Sequence, residues 1–324
     1  MNLDVVFAGT AGSVPTARRG LPALLVRRGG DRILFDCGEG TQRQLIRSVG
    51  LADMDDVFLT HLHVDHWLGL PGMIKSFELR DRDRPLNVYG PPGTRAAIEG
   101  LRFVLGRVRF GLRVVELDRF EEVARDGYTV AAIPVRHRTP NAFGYALVEP
   151  PRPGRFDAEV AAARGVTPGP DFGRLQRGET VNGVTPVEVI GPPRPGRKIV
   201  ISGDTAPCDG IRMAAHEADL LIHEATFTDE ELDRARDTMH STARQAAEIA
   251  AEAAVRMLAL THLSTRYGGR EIKDEARAVF PATVVPRDFD VIEIPFAEKG
   301  DPEVVRPARG DDPSAAPPDA VLPS

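Results

Sequence analysis

Cysteine is nearly absent from this chain. Only Cys37 and Cys208 occur in 324 residues, 171 positions apart, so no disulfide framework is available and a reducing, cytoplasmic setting is the simpler expectation. Long hydrophobic runs are missing too: no apolar stretch approaches the roughly 20 residues that span a bilayer. The opening MNLDVVFAGTAG lacks the basic-then-apolar pattern of an export signal, so neither secretion nor a membrane partner is expected. Positive charge is in short supply. With 41 Lys and Arg against 47 Asp and Glu, the net charge of −6 argues against indiscriminate binding to DNA, which relies on broad positive potential, while leaving room for a local basic patch. Lysine itself is rare: Lys75, Lys198, Lys273 and Lys299 leave 37 arginines. Arginine suits bidentate phosphate contacts, although the arginine preference of GC-rich coding explains the excess more simply. The remainder, 42% hydrophobic and 27% charged, is ordinary for a globular protein, and the length fits two average domains or one large core.

Short apolar runs alternate with helix-like segments through most of the chain, which predicts a layered α/β protein. Strands are expected at 3–10, 21–26, 32–36 and 57–60, and again at 86–89, 113–117, 128–134, 144–148, 198–201, 220–223, 257–261 and 291–294. Helices are expected near 39–49, 70–80, 94–105, 211–217, 242–254 and 270–279. Two segments break the rhythm. Residues 151–196 hold eight Pro and eight Gly in 46 positions, too many breakers for ordinary core elements, and read as an insertion with one short helix at 156–164. Residues 297–324 are rich in Pro and Ala and poor in apolar side chains, and read as a disordered tail.

The densest chemical signal is Thr60-His61-Leu62-His63-Val64-Asp65-His66, three imidazoles and a carboxylate immediately after an apolar strand. Such a turn supplies the nitrogen and oxygen donors that zinc prefers, on alternate side chains that can converge. Three more donors follow strands elsewhere: His137 after 130–135, Asp204 in Ser202-Gly203-Asp204-Thr205, and His262 after 257–260. Residues leaving strands at one edge of a sheet share a rim, where sites are commonly built. Gly9-Thr10-Ala11-Gly12-Ser13 resembles a phosphate-cradling loop but lacks the lysine and spacing of one. His223, inside an apolar strand, reads as a core histidine, and His216, at a helix end, as a solvated one.

Taken in order, these motifs resemble the metallo-β-lactamase fold, and their flanks resemble ribonuclease Z, the tRNA 3′-processing endonuclease. The narrower resemblance rests on Phe35-Asp36-Cys37-Gly38-Glu39-Gly40-Thr41-Gln42, Leu68-Gly69-Leu70-Pro71-Gly72, Ala142-Phe143-Gly144-Tyr145, His223-Glu224-Ala225-Thr226-Phe227, His240-Ser241-Thr242 and Thr261-His262-Leu263-Ser264-Thr265-Arg266-Tyr267, spread over about residues 3–295. It implies a four-layer αββα sandwich over residues 1–296 and two Zn²⁺ per subunit. The first zinc would be held by His61, His63 and His137 and the second by Asp65, His66 and His262, with Asp204 between them. It further implies attack on the phosphodiester by metal-activated hydroxide, with Asp65 doubling as proton acceptor and His240 stabilising charge or protonating the leaving 3′ oxygen. Glu224 either orients His240 or is a satisfied buried acid. The family often has Gly or Ala where this chain has Val64, whose β-branch restricts the turn.

By position, 151–196 matches the flexible arm with which many members of that family grip the tRNA elbow, and Pro168-Gly169-Pro170 resembles its Gly-Pro motif. Residues 151–198 carry eight basic side chains against five acidic ones, which makes Arg152, Arg155, Arg164, Arg174 and Arg177 candidate substrate contacts. A plain surface loop is the alternative. The expected activity is removal of the 3′ trailer from precursor tRNA, leaving a 3′-hydroxyl on the tRNA and a 5′-phosphate on the trailer. The family further implies a homodimer in which one subunit's arm serves the other's site. Competing functions are hydrolysis of a small phosphodiester, thioester, lactone or β-lactam, which the same centre supports, and an RNA-binding relative with an inactive centre.

Overall fold

The structure, a computed structural model, describes residues 1–51, 54–139 and 141–306. The apolar runs are rich in Val, Ile, Leu and Phe and too short for buried helices, so they form strands. The first six, β1 (Leu3–Gly9), β2 (Ala23–Arg28), β3 (Asp31–Phe35), β4 (Asp56–Phe58), β5 (Leu86–Gly90) and β6 (Leu112–Glu116), build one sheet. The next seven, β7 (Glu122–Arg125), β8 (Tyr128–Pro134), β9 (Phe143–Val148), β10 (Lys198–Ile201), β11 (Leu220–Glu224), β12 (Met257–Thr261) and β13 (Thr283–Val284), build a second. The chain then returns to the first sheet as β14 (Val291–Glu293) and β15 (Glu303–Val305), giving the orders β15-β14-β1-β2-β3-β4-β5-β6 and β13-β12-β11-β10-β9-β8-β7. Both sheets are mixed: β1 to β3 are antiparallel and β3 to β6 parallel, while β7 to β10 are antiparallel and β10 to β13 parallel.

Alternation along each strand produces the layers. Val5 and Phe7 face the second sheet, whose Val130, Tyr145, Ile199 and Ile222 meet them; Val6 and Ala8 point the other way, onto a layer with Leu45, Met73 and Phe77. Val200, Leu221 and Leu258 of the second sheet pack outward on the helix Ala243–Glu252, whose Ala243, Ala246, Ala247 and Ala250 make a small-residue stripe that lets it lie close. The result is the expected four-layer αββα sandwich. Phe35, Phe58 and Tyr145 interlock at its centre with ring centroids 5.2–5.6 Å apart, and the Tyr145 hydroxyl donates to Leu59 O at 2.7 Å. No helix among the described residues is long and apolar enough to cross a membrane.

Three expectations need correction. Residues 297–306 are not a tail: a turn of 3₁₀ helix at Ala297–Lys299 leads into β15, which pairs Val305 with Val291 and Val304 with Ile292. An open sheet edge recruits a segment through main-chain hydrogen bonds, which composition does not report. The rest of the expected tail, 307–324, lies outside the described residues. The insertion has a core of its own, with helices Ala158–Ala163, Pro170–Gln176 and Pro186–Val189 around buried Ala161, Val166, Leu175, Val181, Val184 and Val189. Six apolar side chains spread among the breakers suffice for this, so the insertion carries three short helices rather than one. The expected helix at 94–105 is broken at Leu101 into two.

Candidate metal centre

The seven predicted donors meet at one rim of the sandwich. His61 and His63 follow β4, Asp65 and His66 lie on the short helix Val64–Trp67, and His137, Asp204 and His262 follow β8, β10 and β12. Asp204 Oδ2 is central: it lies 3.3 Å from His262 Nε2, 3.4 Å from His66 Nε2, 3.7 Å from His61 Nε2 and 3.9 Å from His137 Nε2. Asp65 Oδ2 is 3.6 Å from both His66 Nε2 and His262 Nε2. Among the described residues three sets emerge in which all donor atoms lie within 4.8 Å of one another: His61 with His63, His137 and Asp204; Asp65 with His66 and His262; and Asp204 with His240 and His262. Val64 sits with its side chain exposed at the start of its helix, so the β-branch does not disturb the turn.

The donor chemistry fits a cation. His63 Nδ1 faces His61 Nε2 at 3.0 Å and His137 Nε2 at 3.2 Å, one ring nitrogen against two others, an arrangement that neutral imidazoles cannot satisfy by hydrogen bonds alone. His66 Nε2 and His262 Nε2 are buried without a hydrogen-bond partner. Their outer nitrogens, by contrast, are held. His66 Nδ1 meets Asp36 Oδ2 at 2.7 Å, His262 Nδ1 meets Thr226 Oγ1 at 2.8 Å, His137 Nδ1 donates to Met239 O at 3.1 Å, and His61 Nδ1 lies 3.0 Å from Thr60 Oγ1. Such outer bonds fix ring orientation and present a bare lone pair inward. Burial holds His61, His63 and His137 below the ordinary imidazole value, in the neutral form that ligates.

Asp36, Met239 and His262 have φ of 58°, 56° and 57°, the left-handed region that non-glycine residues adopt only uncommonly. Gly12 permits a close approach: a Cβ there would stand 2.6 Å from His262 Nδ1. The loop it belongs to is no phosphate cradle; the Ser13 amide donates to Asp65 Oδ2 at 3.0 Å.

His240 stands beside the cluster, its ring stacked on that of His262 at 5.4 Å and edge-on to His137 at 4.9 Å. Its Nδ1 donates to Glu224 Oε1 at 2.8 Å. Burial alone would depress this imidazole, but the adjacent Glu224 carboxylate raises it to about 9. Glu224 is at once a satisfied buried acid and the group that orients His240, since it also accepts from the amides of Thr205 and Ser241 and from Thr226 Oγ1. Thr242 caps the helix that follows, in a capping box with Gln245. His223 is buried in β11 and His216 is exposed, as expected.

Among the described residues, no ion pair joins the five arm arginines to the rim. Four are engaged: Arg152 with Glu298, Arg164 with Glu188, Arg174 with Glu179 and Asp171, and Arg177 with Glu179. Arg155 is exposed and, among the described residues, without an ion pair. Sequence reasoning assigned no role to Asp36, Thr226 or Met239. Asp36 and Thr226 stood inside quoted motifs, whereas Met239 acts through its carbonyl, which no side-chain pattern signals.

Residues 31–156 and 159–263 match the model of the beta-lactamase superfamily domain. The Ribonuclease Z of Methanosarcina acetivorans is 45% identical over 303 residues, 91% of this chain and 99% of that protein, and the Ribonuclease Z of Myxococcus xanthus is 45% identical over 305 residues, again 91% and 99%. Among solved structures, human tRNase Z, short form, superposes with a TM-score of 0.65 at 30% identity over 90% of this chain and 99% of that one. Identity of this order across whole chains, over a matched superfamily domain, places the protein in the ribonuclease Z family of the metallo-β-lactamase superfamily.

Proposed function

We propose that the chain is a metal-dependent endoribonuclease that removes the 3′ trailer from precursor tRNA, leaving a 3′-hydroxyl on the tRNA and a 5′-phosphate on the trailer. The observation that carries this reading is the seven-donor rim with the Glu224-held His240 against it, in a chain 45% identical to a Ribonuclease Z along nearly its whole length. His61, His63 and His137 would hold one zinc and Asp65, His66 and His262 a second, with Asp204, near nitrogens of both sets, shared between them. When bound, such a pair supplies a strongly acidified water and positive charge to offset the developing phosphorane.

The chain's own groups do the rest. Asp65, fixed by the Ser13 amide, accepts the proton of the attacking water as its oxygen bonds to phosphorus. The bond from phosphorus to the 3′ oxygen breaks, and His240, held by Glu224, gives that oxygen its proton. The water oxygen leaves on the trailer's 5′-phosphate.

Support for a homodimer comes from where the arm departs. Residue 149 follows the end of β9 and residue 197 precedes β10, both at the end of the second sheet opposite Phe143 and Asp204. A six-residue strand spans about 20 Å, so a chain's own arm starts well away from its own rim, and service to a second copy fits that separation. Cytoplasmic conditions suit the two free thiols. The test is cleavage of a 3′-extended tRNA beside a small activated phosphodiester, with metal stripped and zinc restored. Zinc-dependent release of a 5′-phosphorylated trailer is expected. Turnover of the small ester alone would move the protein to the small-substrate class.

A further inference from the structure

The two legs of the arm and the carboxy-terminal segment meet at one place. Arg152 N donates to Arg194 O at 2.7 Å and Arg194 N to Arg152 O at 2.9 Å, a ladder that closes the stem. Glu298 reaches both legs: its carboxylate accepts two bonds of 3.0 Å from the Arg152 guanidinium and one of 3.0 Å from Arg194. Phe296 lies against the same legs, its ring centroid 3.4 Å from the Arg152 guanidinium carbon and 4.2 Å from that of Arg197. Arg197 is buried and immobilised, with bonds of 2.7 and 2.8 Å to Glu149 and one of 3.1 Å to Ile294 O. Arg28, at the end of β2, donates to Glu149 at 2.7 Å and so ties the stem to the first sheet.

These contacts sit at the end of the sandwich away from the rim, where they cannot touch the reacting atoms. Their geometry constrains direction. A fork from guanidinium to carboxylate is planar and specific in angle, and a guanidinium over an aromatic face fixes a second plane. One exposed ion pair would do little. Here one carboxylate bridges two legs and one ring faces two guanidinia, so splaying or twisting the stem breaks several contacts together.

We propose that Phe296 and Glu298 are positioning residues for precursor tRNA: they lock the stem so that the arm meets RNA already oriented. The inference rests on the reading of the arm as an RNA contact. An arm hinged only on two strands would lose orientational freedom on binding, and that loss weakens affinity without touching chemistry. Arg152, a candidate substrate contact from the sequence, is thereby assigned to the stem; its guanidinium is spent on Glu298 and Phe296.

The experiment compares the full-length enzyme with Phe296→Leu, Phe296→Trp and Glu298→Ala, alone and with residues 153–193 replaced by a Gly-Ser linker. Leu keeps an apolar side chain for folding, and Trp keeps the aromatic face. Phe296→Leu and Glu298→Ala should each raise KM for precursor tRNA by roughly three- to tenfold with kcat unchanged, and Trp should restore the wild-type value. Hydrolysis of a small phosphodiester should stay level, and amide exchange at Arg152 and Arg194 should quicken. In the armless background neither substitution should alter KM further. An unchanged KM, equal effects of Leu and Trp, or an equal rise without the arm overturns the proposal. If wild-type and armless enzymes cleave precursor tRNA equally well, the reading of the arm fails, and this inference with it.

Discussion

The metal rim and the arm are built on opposite plans. At the rim, the donors from both sheets are buried except half-buried His63, the outer nitrogens of His61, His66, His137 and His262 are bonded, and three backbone positions are held at positive φ. The arm is a local structure: a few helical turns on six buried apolar side chains, with Arg164, Arg174 and Arg177 paired to its own acids. Chemistry that needs sub-ångström placement draws on the rigidity of the whole sandwich, whereas a surface that meets a large RNA needs only reach and orientation. The two functions should therefore separate under mutation.

The sharpest break is Asp65→Ala. Cleavage of precursor tRNA should fall by more than about 10³-fold in single-turnover assays while binding of the same RNA stays close to wild type. A folded Asp65→Ala enzyme that cleaves at near the normal rate would remove Asp65 from the mechanism. Replacing 153–193 by a Gly-Ser linker should give the mirror image. There kcat/KM for precursor tRNA drops by about 10²-fold through KM, while zinc content and turnover of a small phosphodiester hold, as expected when phosphate contacts and reach are lost.

A subtler pair of tests asks how far each plan extends. Asp36→Asn keeps the size of the side chain but removes the charge behind His66, and such outer-shell changes cost about 10- to 100-fold in metal affinity. Zinc retention against a graded chelator measures it; unchanged retention would mean His66 is oriented by other contacts. The smallest effect is expected at the foot of the arm. Burial pushes the Glu149 carboxyl up, but bonds from Arg197 and Arg28 outweigh it and hold it below the ordinary carboxylate value. The folded protein therefore binds fewer protons at this site than the unfolded chain, whose Glu titrates near about 4.3. Its contribution to stability is complete above that pH and is lost as pH falls through the lowered value. Thermal unfolding from pH 7 to pH 3 should show this loss, and Glu149→Gln should be less stable at pH 7 with a flatter acid profile. Parallel profiles would mean that the trio contributes no pH-dependent stability.

Legibility in the sequence followed the same division. Thr60 to His66 could be read because its donors are consecutive, and His137, Asp204 and His262 because each follows an apolar strand whose end marks a rim. Asp36 was visible only as part of a motif, since one carboxylate after a strand resembles any other until His66 is set against it. Met239 could not be found from side-chain patterns, because it serves through a carbonyl turned by a positive φ. The arm was recognised by its breakers, yet its small core went unread because six apolar side chains spread over some thirty positions show no period.

The sequence by itself determined the alternating α/β order, the rim donors and the presence of an insertion, because strand periodicity, donor type and chain breakers are local properties. Tertiary structure alone decided that Arg152 pairs with Glu298 and that Glu224 both satisfies itself and aims His240. It alone turned residues 303–305 from tail to strand. In each case the deciding partner, Glu298, His240 or β14, lies at least a dozen residues away or on another element. A hydrogen bond or ion pair across such a separation exists only once the sandwich has closed the distance.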